Sequence, residues 1–159
     1  MANTKEKLTH CQICARDIKA NTGLIAHHGY QRPQYQGWQT ASCDGARQLP
    51  YEVSRDFIPV VIERYKLHAK NQEDMADEML RAPVETITRY ATSSYDTDSI
   101  FEKPADFDPY KTVNGEVYAM YNTYEYEFKR KYTAHRKNVK EIEEAIEFLQ
   151  KRYDDWRKA

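Results

Sequence analysis

The sequence lacks a long hydrophobic run and has almost no net charge. No apolar stretch approaches the roughly 20 residues that a membrane-spanning helix needs, so we expect no membrane role. The formal net charge is −1 at pH 7, which gives no global attraction to nucleic acid or anionic lipid. The first residues carry no apolar segment of the kind found in secretion signals, and we expect a cytoplasmic protein.

Cysteine is also scarce, with three residues at positions 11, 14 and 43. An odd number of cysteines in a reducing compartment favours metal ligation over disulfides. The cysteines lie in the first third of the chain, and a segment of about 45 residues buries too little apolar surface to fold without a metal or disulfides. The sequence therefore predicts a metal site in residues 1–50.

A histidine pair supplies the fourth ligand of that site. The pattern is C-x2-C-x13-H-x14-C, and its first spacing lets both sulfurs reach one ion at about 2.3 Å, as in a zinc knuckle. The predicted zinc ligands are Cys11, Cys14, His28 and Cys43. Alternation along a strand over residues 24–28 places His28 and His27 on opposite faces and favours His28, with His27 as the open alternative.

The predicted zinc is structural. Catalytic zinc usually keeps one coordination position open, whereas four protein ligands are available here. Residues 1–50 contain no H-E-x-x-H or H-x-E arrangement that would provide a general base. We therefore expect a protein that is not an enzyme, and a metal-dependent nuclease is the least favoured alternative.

The remaining chain favours helices. Apolar residues recur at steps of three and four from Ile58 to Met79, between a candidate N-cap at Ser54 and a terminating Pro83. A similar pattern over residues 116–158 predicts a second, longer helix. The predicted fold is mainly α, with a small zinc-knuckle β-hairpin module at residues 1–50 and a coiled-coil-like antiparallel helical hairpin at residues 51–159.

Two shorter segments complete this prediction. Strands over residues 16–20 and 24–28 form the hairpin of the zinc module, after a frayed arm at residues 1–9. Residues 84–114 form an irregular insert between the helices, with a short strand at residues 84–90 and an acidic loop at residues 96–109.

Two groups of aromatic and basic residues are candidate contacts for a partner or a nucleic acid. The first group comprises Tyr30, Arg32, Tyr35, Trp38 and Arg47, and the second comprises Lys129, Arg130 and Lys131. Aromatic rings and cations together suit base stacking and phosphate contact. For Tyr30 and Trp38 the favoured interpretation is the core of the small module, which needs its aromatic rings inside. The basic run that continues to Lys140 is expected to spread around several helix faces.

The first third of the chain resembles a group of small proteins from phages and mobile elements of proteobacteria. The resemblance covers residues 11–54 and rests on CQICARDIK at residues 11–19, GLIAHHGYQRP at 23–33, GWQTASCDGAR at 37–47 and PYEV at 50–53. This group has no assigned chemistry. The resemblance implies a phage-type protein that binds host machinery, including inhibitors of host defence such as anti-CRISPR proteins, and that acts in the host cytoplasm.

The sequence therefore predicts a non-enzymatic, zinc-stapled protein that binds a host protein or complex. A nucleic-acid-binding zinc-finger protein is the alternative from a different class. The apolar stripe of the long C-terminal helix is longer than the predicted partner helix that would cover it. A homodimer through the C-terminal helix is therefore a further candidate interaction.

Overall fold

The computed structural model describes residues 8–20, 22–29, 42–91, 97–115 and 122–157. In chain order the elements are β1 (Leu8–His10), β2 (Asp17–Lys19), α1 (Phe57–Arg81), β3 (Thr86–Arg89), β4 (Ser99–Glu102), α2 (Pro109–Asn114) and α3 (Tyr124–Asp155). The helices hold about half of the described residues, which confirms a mainly helical chain with small two-stranded hairpins. Within these ranges, no helix combines the length and apolarity needed to cross a membrane.

The chain divides into two compact units. The first contains Met1–Lys66 together with Glu144–Ala159, and the second contains Leu67–Glu143. Each long helix contributes one segment to each unit. The predicted boundary at residue 50 falls inside the first unit, because the start of α1 and the end of α3 pack around the cysteines.

The hairpin of the first unit differs from the predicted one. β2 is present as expected, but it pairs antiparallel with β1, in the register Thr9↔Ile18. The prediction of a frayed arm at residues 1–9 is therefore wrong for Leu8 and Thr9. The turn at Cys11 and Cys14 reverses the chain at once, so the residues before it become the nearest partner of β2. Residues 24–28 form no named strand; Ala26 N donates to Lys19 O at 2.9 Å, and Ile25 N donates to Gln48 O at 2.8 Å.

The core of the first unit joins the cysteines to both long helices. Its buried members are Cys11, Ile13, Cys14, Ile25, Cys43, Ile58, Val61, Ile62 and Leu149. α1 begins at Phe57 and not at Ser54, because the Ser54 hydroxyl accepts a bond from Asp56 N at 3.0 Å within the preceding turn. Its end at Arg81 agrees with the predicted stop before Pro83.

The insert in the second unit contains more regular structure than predicted. The predicted strand at residues 84–90 corresponds to β3, but the predicted acidic loop contains β4, which pairs antiparallel with β3. β4 escapes sequence analysis because it has only four residues and its two apolar residues, exposed Ile100 and half-buried Phe101, are adjacent in the sequence. α2 then follows, capped by the Asp108 carboxylate, which accepts a bond from Lys111 N at 3.0 Å.

The long C-terminal helix is shorter than predicted. α3 begins at Tyr124, where the Thr123 hydroxyl accepts a bond from Tyr126 N at 3.3 Å, and it ends at Asp155. The helix predicted from residue 116 is wrong for Asn122 and Thr123, which form a bend. Residues 116–121 lie outside the described part of the chain.

Aromatic rings form the core of the second unit. Phe107 meets Tyr124 and Phe128 edge to face, with ring centroids 4.9 Å apart in both pairs. Met79 and Leu80 pack against this cluster, and the side chain of Gln72 accepts a bond from His135 Nδ1 at 2.9 Å. Within this unit, the segments of α1 and α3 therefore run antiparallel. Coiled-coil packing stays a prediction.

Candidate metal centre

Three short segments bring the four predicted ligands together. Cys11 and Cys14 lie in the turn between β1 and β2, which closes with a bond from Cys11 N to Arg16 O at 3.0 Å. His28 and Cys43 lie on two segments joined by a bond from Cys43 N to His28 O at 2.9 Å. Backbone hydrogen bonds therefore position these segments, and the four side chains remain available as ligands.

The ligand atoms have the spacing of a tetrahedral metal site. All four lie within 4.8 Å of one another; the Cys11 and Cys43 sulfurs are 3.8 Å apart, and the Cys14 sulfur is 3.3 Å from His28 Nε2. Zinc bonds of about 2.3 Å to sulfur and about 2.0 Å to nitrogen give tetrahedral edges of about 3.8 Å and 3.5 Å. The three cysteines are free and buried, and the group fits one ion.

The two histidines have different surroundings. His28 Nδ1 is 2.8 Å from the carbonyl oxygen of Ala26, and a proton on this nitrogen leaves the Nε2 lone pair for a metal. His27 Nε2 lies 3.0 Å from the Ser42 hydroxyl, away from the sulfurs. The structure therefore places His28, and not His27, in the ligand group.

Crowding of the three sulfurs shifts their acidity in opposite directions. Hydrogen bonding with Cys11 lowers the pKa of Cys14, whereas hydrogen bonding with Cys11 and burial raise the pKa of Cys43. The pKa of Cys11 is also raised, chiefly through its hydrogen bond with Cys14. Three thiolates at this spacing repel one another, so full ionisation needs a cation among them.

The turn around the sulfurs depends on special backbone positions. Ala15, which follows the second cysteine, has a φ of 60° in the left-handed region. Gly45 packs so closely that an added Cβ would lie 2.2 Å from the Cys11 sulfur. The Arg16 guanidinium lies 3.5 Å from the Cys14 sulfur through Nε and also donates to the carbonyl of Gly29. The positively charged side chain of Arg16 and the closely packed Gly45 therefore complete the surroundings of the sulfurs.

Gln12 supports the site but was not singled out by the sequence analysis. Its side chain is almost fully buried, donates to Leu49 O at 2.8 Å and accepts a bond from Phe57 N at 3.2 Å. Gln12, one of the two residues between Cys11 and Cys14, therefore satisfies an N–H in the first turn of α1. The C-x2-C pattern does not predict this role, because the partners of Gln12 are Leu49 and Phe57, which are distant in the sequence.

Arg152 is a second supporting residue that the sequence analysis missed. From the last turns of α3 it donates to Gln12 O at 3.1 Å and to Cys11 O at 3.2 Å, and it stacks on the Tyr51 ring at 3.9 Å. Burial lowers the pKa of Arg152, and nearby Tyr51, Cys11 and Cys14 oppose that shift. No sequence pattern links residues 140 positions apart.

The geometry of the group suits a structural ion. Four protein ligands fill a tetrahedron and leave no position for water or substrate, which catalytic zinc requires. Among the residues that the structure describes, the Cys11, Cys14, His28 and Cys43 group is the one set of three or more His, Cys, Asp or Glu side chains placed to hold a metal. The group can therefore stabilise the fold around it.

The other candidate contact residues are only partly described. Tyr30, Arg32, Tyr35 and Trp38 lie outside the described residues. Arg47 is exposed and has a φ of 64°. Lys129 donates to the carbonyl of Gly115, Arg130 pairs with Glu127, and Lys131 is half-buried.

Comparisons with known proteins add no relative to this picture. Models of known protein families, curated protein sequences and solved structures gave no match to the chain. The fold and the site define the class: a mainly helical chain with a Cys3His group at metal-binding distance.

Proposed function

We propose that this chain is a non-enzymatic, zinc-stapled protein that binds a protein partner. The observation that carries the proposal is the Cys11, Cys14, His28 and Cys43 group, whose ligand atoms lie within 4.8 Å of one another. Its three cysteines belong to the buried core of the first unit. Such a group holds a fold together and offers no reacting position. Activity then resides in the surfaces that the ion stabilises.

The donor set favours zinc over other common ions. Thiolate and imidazole ligands select zinc, copper and iron over magnesium and calcium, and a compact tetrahedral Cys3His set is typical of structural zinc. Three thiolates, one neutral imidazole and Zn²⁺ carry a net charge of −1. The guanidinium of Arg16 at the Cys14 sulfur and that of Arg152 at the carbonyls of Cys11 and Gln12 offset this charge.

A matched pair of histidine variants tests the ligand assignment. We expect His28→Ala to lower zinc affinity by a factor of about 100 or more, since one of four ligands is lost. His27→Ala should keep the affinity within a few-fold, because its ring lies against Ser42. Affinity is measured by competition with a coloured chelator. Loss of zinc from His27→Ala but not from His28→Ala would show that the ligand set is wrong.

A cluster of arginines and aromatic rings in the first unit supports a protein partner. The Arg55 guanidinium lies 4.0 Å from the Tyr153 ring and 5.4 Å from the Trp156 ring. Leu49 and Val53, which lie two residues on either side of Tyr51 in the sequence, are 42% and 52% exposed. Arginine and aromatic residues dominate binding energy in protein interfaces, and rings held in place lose little entropy on binding.

The resemblance of residues 11–54 to phage and mobile-element proteins supports a host protein or complex as that partner. Inhibition of a host defence system, as by an anti-CRISPR protein, is one form of this proposal. Capture from a bacterial host lysate tests it with matched variants. We expect the double variant Leu49→Asp and Val53→Asp to lose the captured partner, whereas Val84→Asp, 59% exposed in the second unit, should retain it. Equal capture by all variants would contradict the assigned surface.

A further inference from the structure

One run of α3 contains basic residues and no acidic ones. Residues 129–140 contain six lysines and arginines and no aspartate or glutamate. The six are Lys129, Arg130, Lys131, Arg136, Lys137 and Lys140. All of them lie in the second unit, apart from the metal centre. This run therefore carries an inference that does not depend on the metal.

Five of the six side chains share one side of the helix. At 3.6 residues per turn, Lys129, Arg130, Arg136, Lys137 and Lys140 fall within an arc of about 120°, whereas Lys131 falls outside it. We call these five residues the basic face. The expectation that the run spreads around several faces is therefore wrong for all but Lys131.

The basic face points away from the core of its unit. Phe128 and Val139 are buried and His135 contacts Gln72, and all three lie on the opposite side of α3. Arg130, Arg136, Lys137 and Lys140 are exposed. The face is thus open to a ligand along about 16 Å of helix, at 1.5 Å per residue.

The contacts of Lys129, Arg130 and Lys137 leave this part of the basic face positively charged. The buried Glu127 carboxylate is shared by two arginines, with Arg130 Nη2 at 2.7 Å and Arg89 Nη1 at 3.2 Å. Lys137 lies 3.7 Å from Glu141 with most of its side chain in solvent, and exposed pairs of this kind are weak enough to exchange for another anion. Lys129 donates to the uncharged carbonyl of Gly115.

The composition of the face selects the kind of ligand. Thr133 is the residue between the basic side chains, and none of the described exposed large hydrophobic residues belongs to α3. A protein partner would find no apolar anchor there, and anchors supply most of the energy of protein interfaces. A phosphate backbone needs none, because its binding is driven by release of counterions.

The surrounding charge restricts where such a ligand can bind. Outside residues 129–140, the sequence Leu67–Glu143 has five basic and 15 acidic residues. A polyanion is therefore repelled from most of this unit and attracted at one strip. Because charges are screened beyond about 8 Å at physiological ionic strength, the strip acts locally in spite of the acidic remainder.

We propose that the basic face binds the phosphate backbone of a nucleic acid without reading its base sequence. The proposal goes beyond the zinc-stapled protein binder, and it requires neither the metal nor the cluster around Arg55. Contact with about three to five phosphates predicts that the logarithm of the binding constant falls with that of the salt concentration with a slope of about −3 to −5.

The test measures binding of the full-length protein to labelled DNA duplexes and single strands by fluorescence anisotropy over a salt series. We expect the double variant Arg136→Gln and Lys140→Gln to reduce the salt slope by about two, at equal effect on unrelated sequences. Lys131→Gln, outside the face, should leave the slope unchanged. Circular dichroism checks that each variant is folded.

Two results would overturn the proposal. One is the absence of binding by the wild-type protein at low salt, and the other is an equal loss in the Lys131→Gln control. Sedimentation separates a further case: if the double variant dissociates a dimer and the wild-type protein binds no nucleic acid, the face is an interface with a second copy. None of these results bears on the zinc ligands, so this proposal and the zinc proposal fail separately.

Discussion

The two units of this chain bury negative charge in different ways. In the first, three of the nine core residues are cysteines, whose thiolates need an external cation. In the second, the core is built from Ile87, Tyr124 and Phe128, and the fully buried carboxylate of Glu127 is held by Arg89 and Arg130. The first unit therefore contains a group placed to hold a metal ion, whereas the second carries its own counterions.

This difference follows from the sequence available to each unit. The N-terminal residues have few large apolar side chains, and three cysteines are among the buried core residues of the first unit. In the second unit, two of the buried core residues are aromatic. A metal ion replaces hydrophobic area as the source of stability in small modules. Residues 67–143 instead bury edge-to-face rings, each pair of which adds about 0.5–1.5 kcal/mol beyond the burial of its area.

Removal of the metal should produce the largest difference in stability between the two units. Structural zinc contributes apparent binding free energies of about 10–16 kcal/mol in small modules, so a strong chelator or Cys43→Ser should unfold the cysteine region. Hydrogen exchange should then rise at residues 8–20 and 42–50 while residues 67–91 and 122–143 keep most of their protection. Equal loss of protection in both units would contradict the comparison.

Phe128→Ala should have the reverse pattern. Phe128 is 1% exposed and packs against Phe107 and Tyr124, and such truncations cost about 3–5 kcal/mol. Chemical denaturation should show this loss, while zinc content stays at the wild-type value. Tyr110→Ala, at a ring that is 59% exposed, serves as the control and should change the free energy of unfolding by less than about 0.5 kcal/mol.

Gln12→Ala should sharpen the link between the metal turn and α1. The substitution leaves Phe57 N and Leu49 O without their side-chain partner, which costs about 1–3 kcal/mol for buried groups. We expect lower stability of the first unit and a several-fold weaker zinc affinity, measured by chelator competition. The exposed Gln150→Ala is the control. An unchanged affinity in Gln12→Ala would show that the turn and the helix are independent.

Arg47→Gly should have the smallest effect, and a stabilising one. Arg47 is exposed and has a φ of 64°, a conformation that costs a non-glycine residue about 1 kcal/mol. Glycine removes this cost, although its greater freedom in the unfolded chain offsets part of the gain. Thermal denaturation should show a small increase in the melting temperature, whereas Ala46→Gly should lower it.

Much of the candidate site could be predicted from local sequence. The spacing of Cys11 and Cys14, the later Cys43 and the histidine pair point to the four side chains that the structure groups together. The strand alternation that favoured His28 is not the reason for its position, because residues 24–28 form no named strand. The end of α1 followed from Pro83. These features depend on residues that are close in the chain.

The remaining features depend on contacts between distant residues. Gln12 and Arg152 acquire their roles from α1 and α3, which lie far along the sequence. β4 is stabilised as a strand by its pairing with β3, and not by its own short pattern. The start of α3 is set by the Thr123 cap, which an uninterrupted helical pattern conceals. Local propensity is a weak guide where tertiary contacts decide.

Native mass spectrometry of the full-length protein, purified without added metal, tests the central claim most directly. We predict one zinc ion per chain, bound with displacement of three thiol protons, and no zinc in Cys43→Ser. A wild-type protein that is folded in the cysteine region and carries no metal would contradict the account, as would a Cys43→Ser variant that retains one zinc ion per chain.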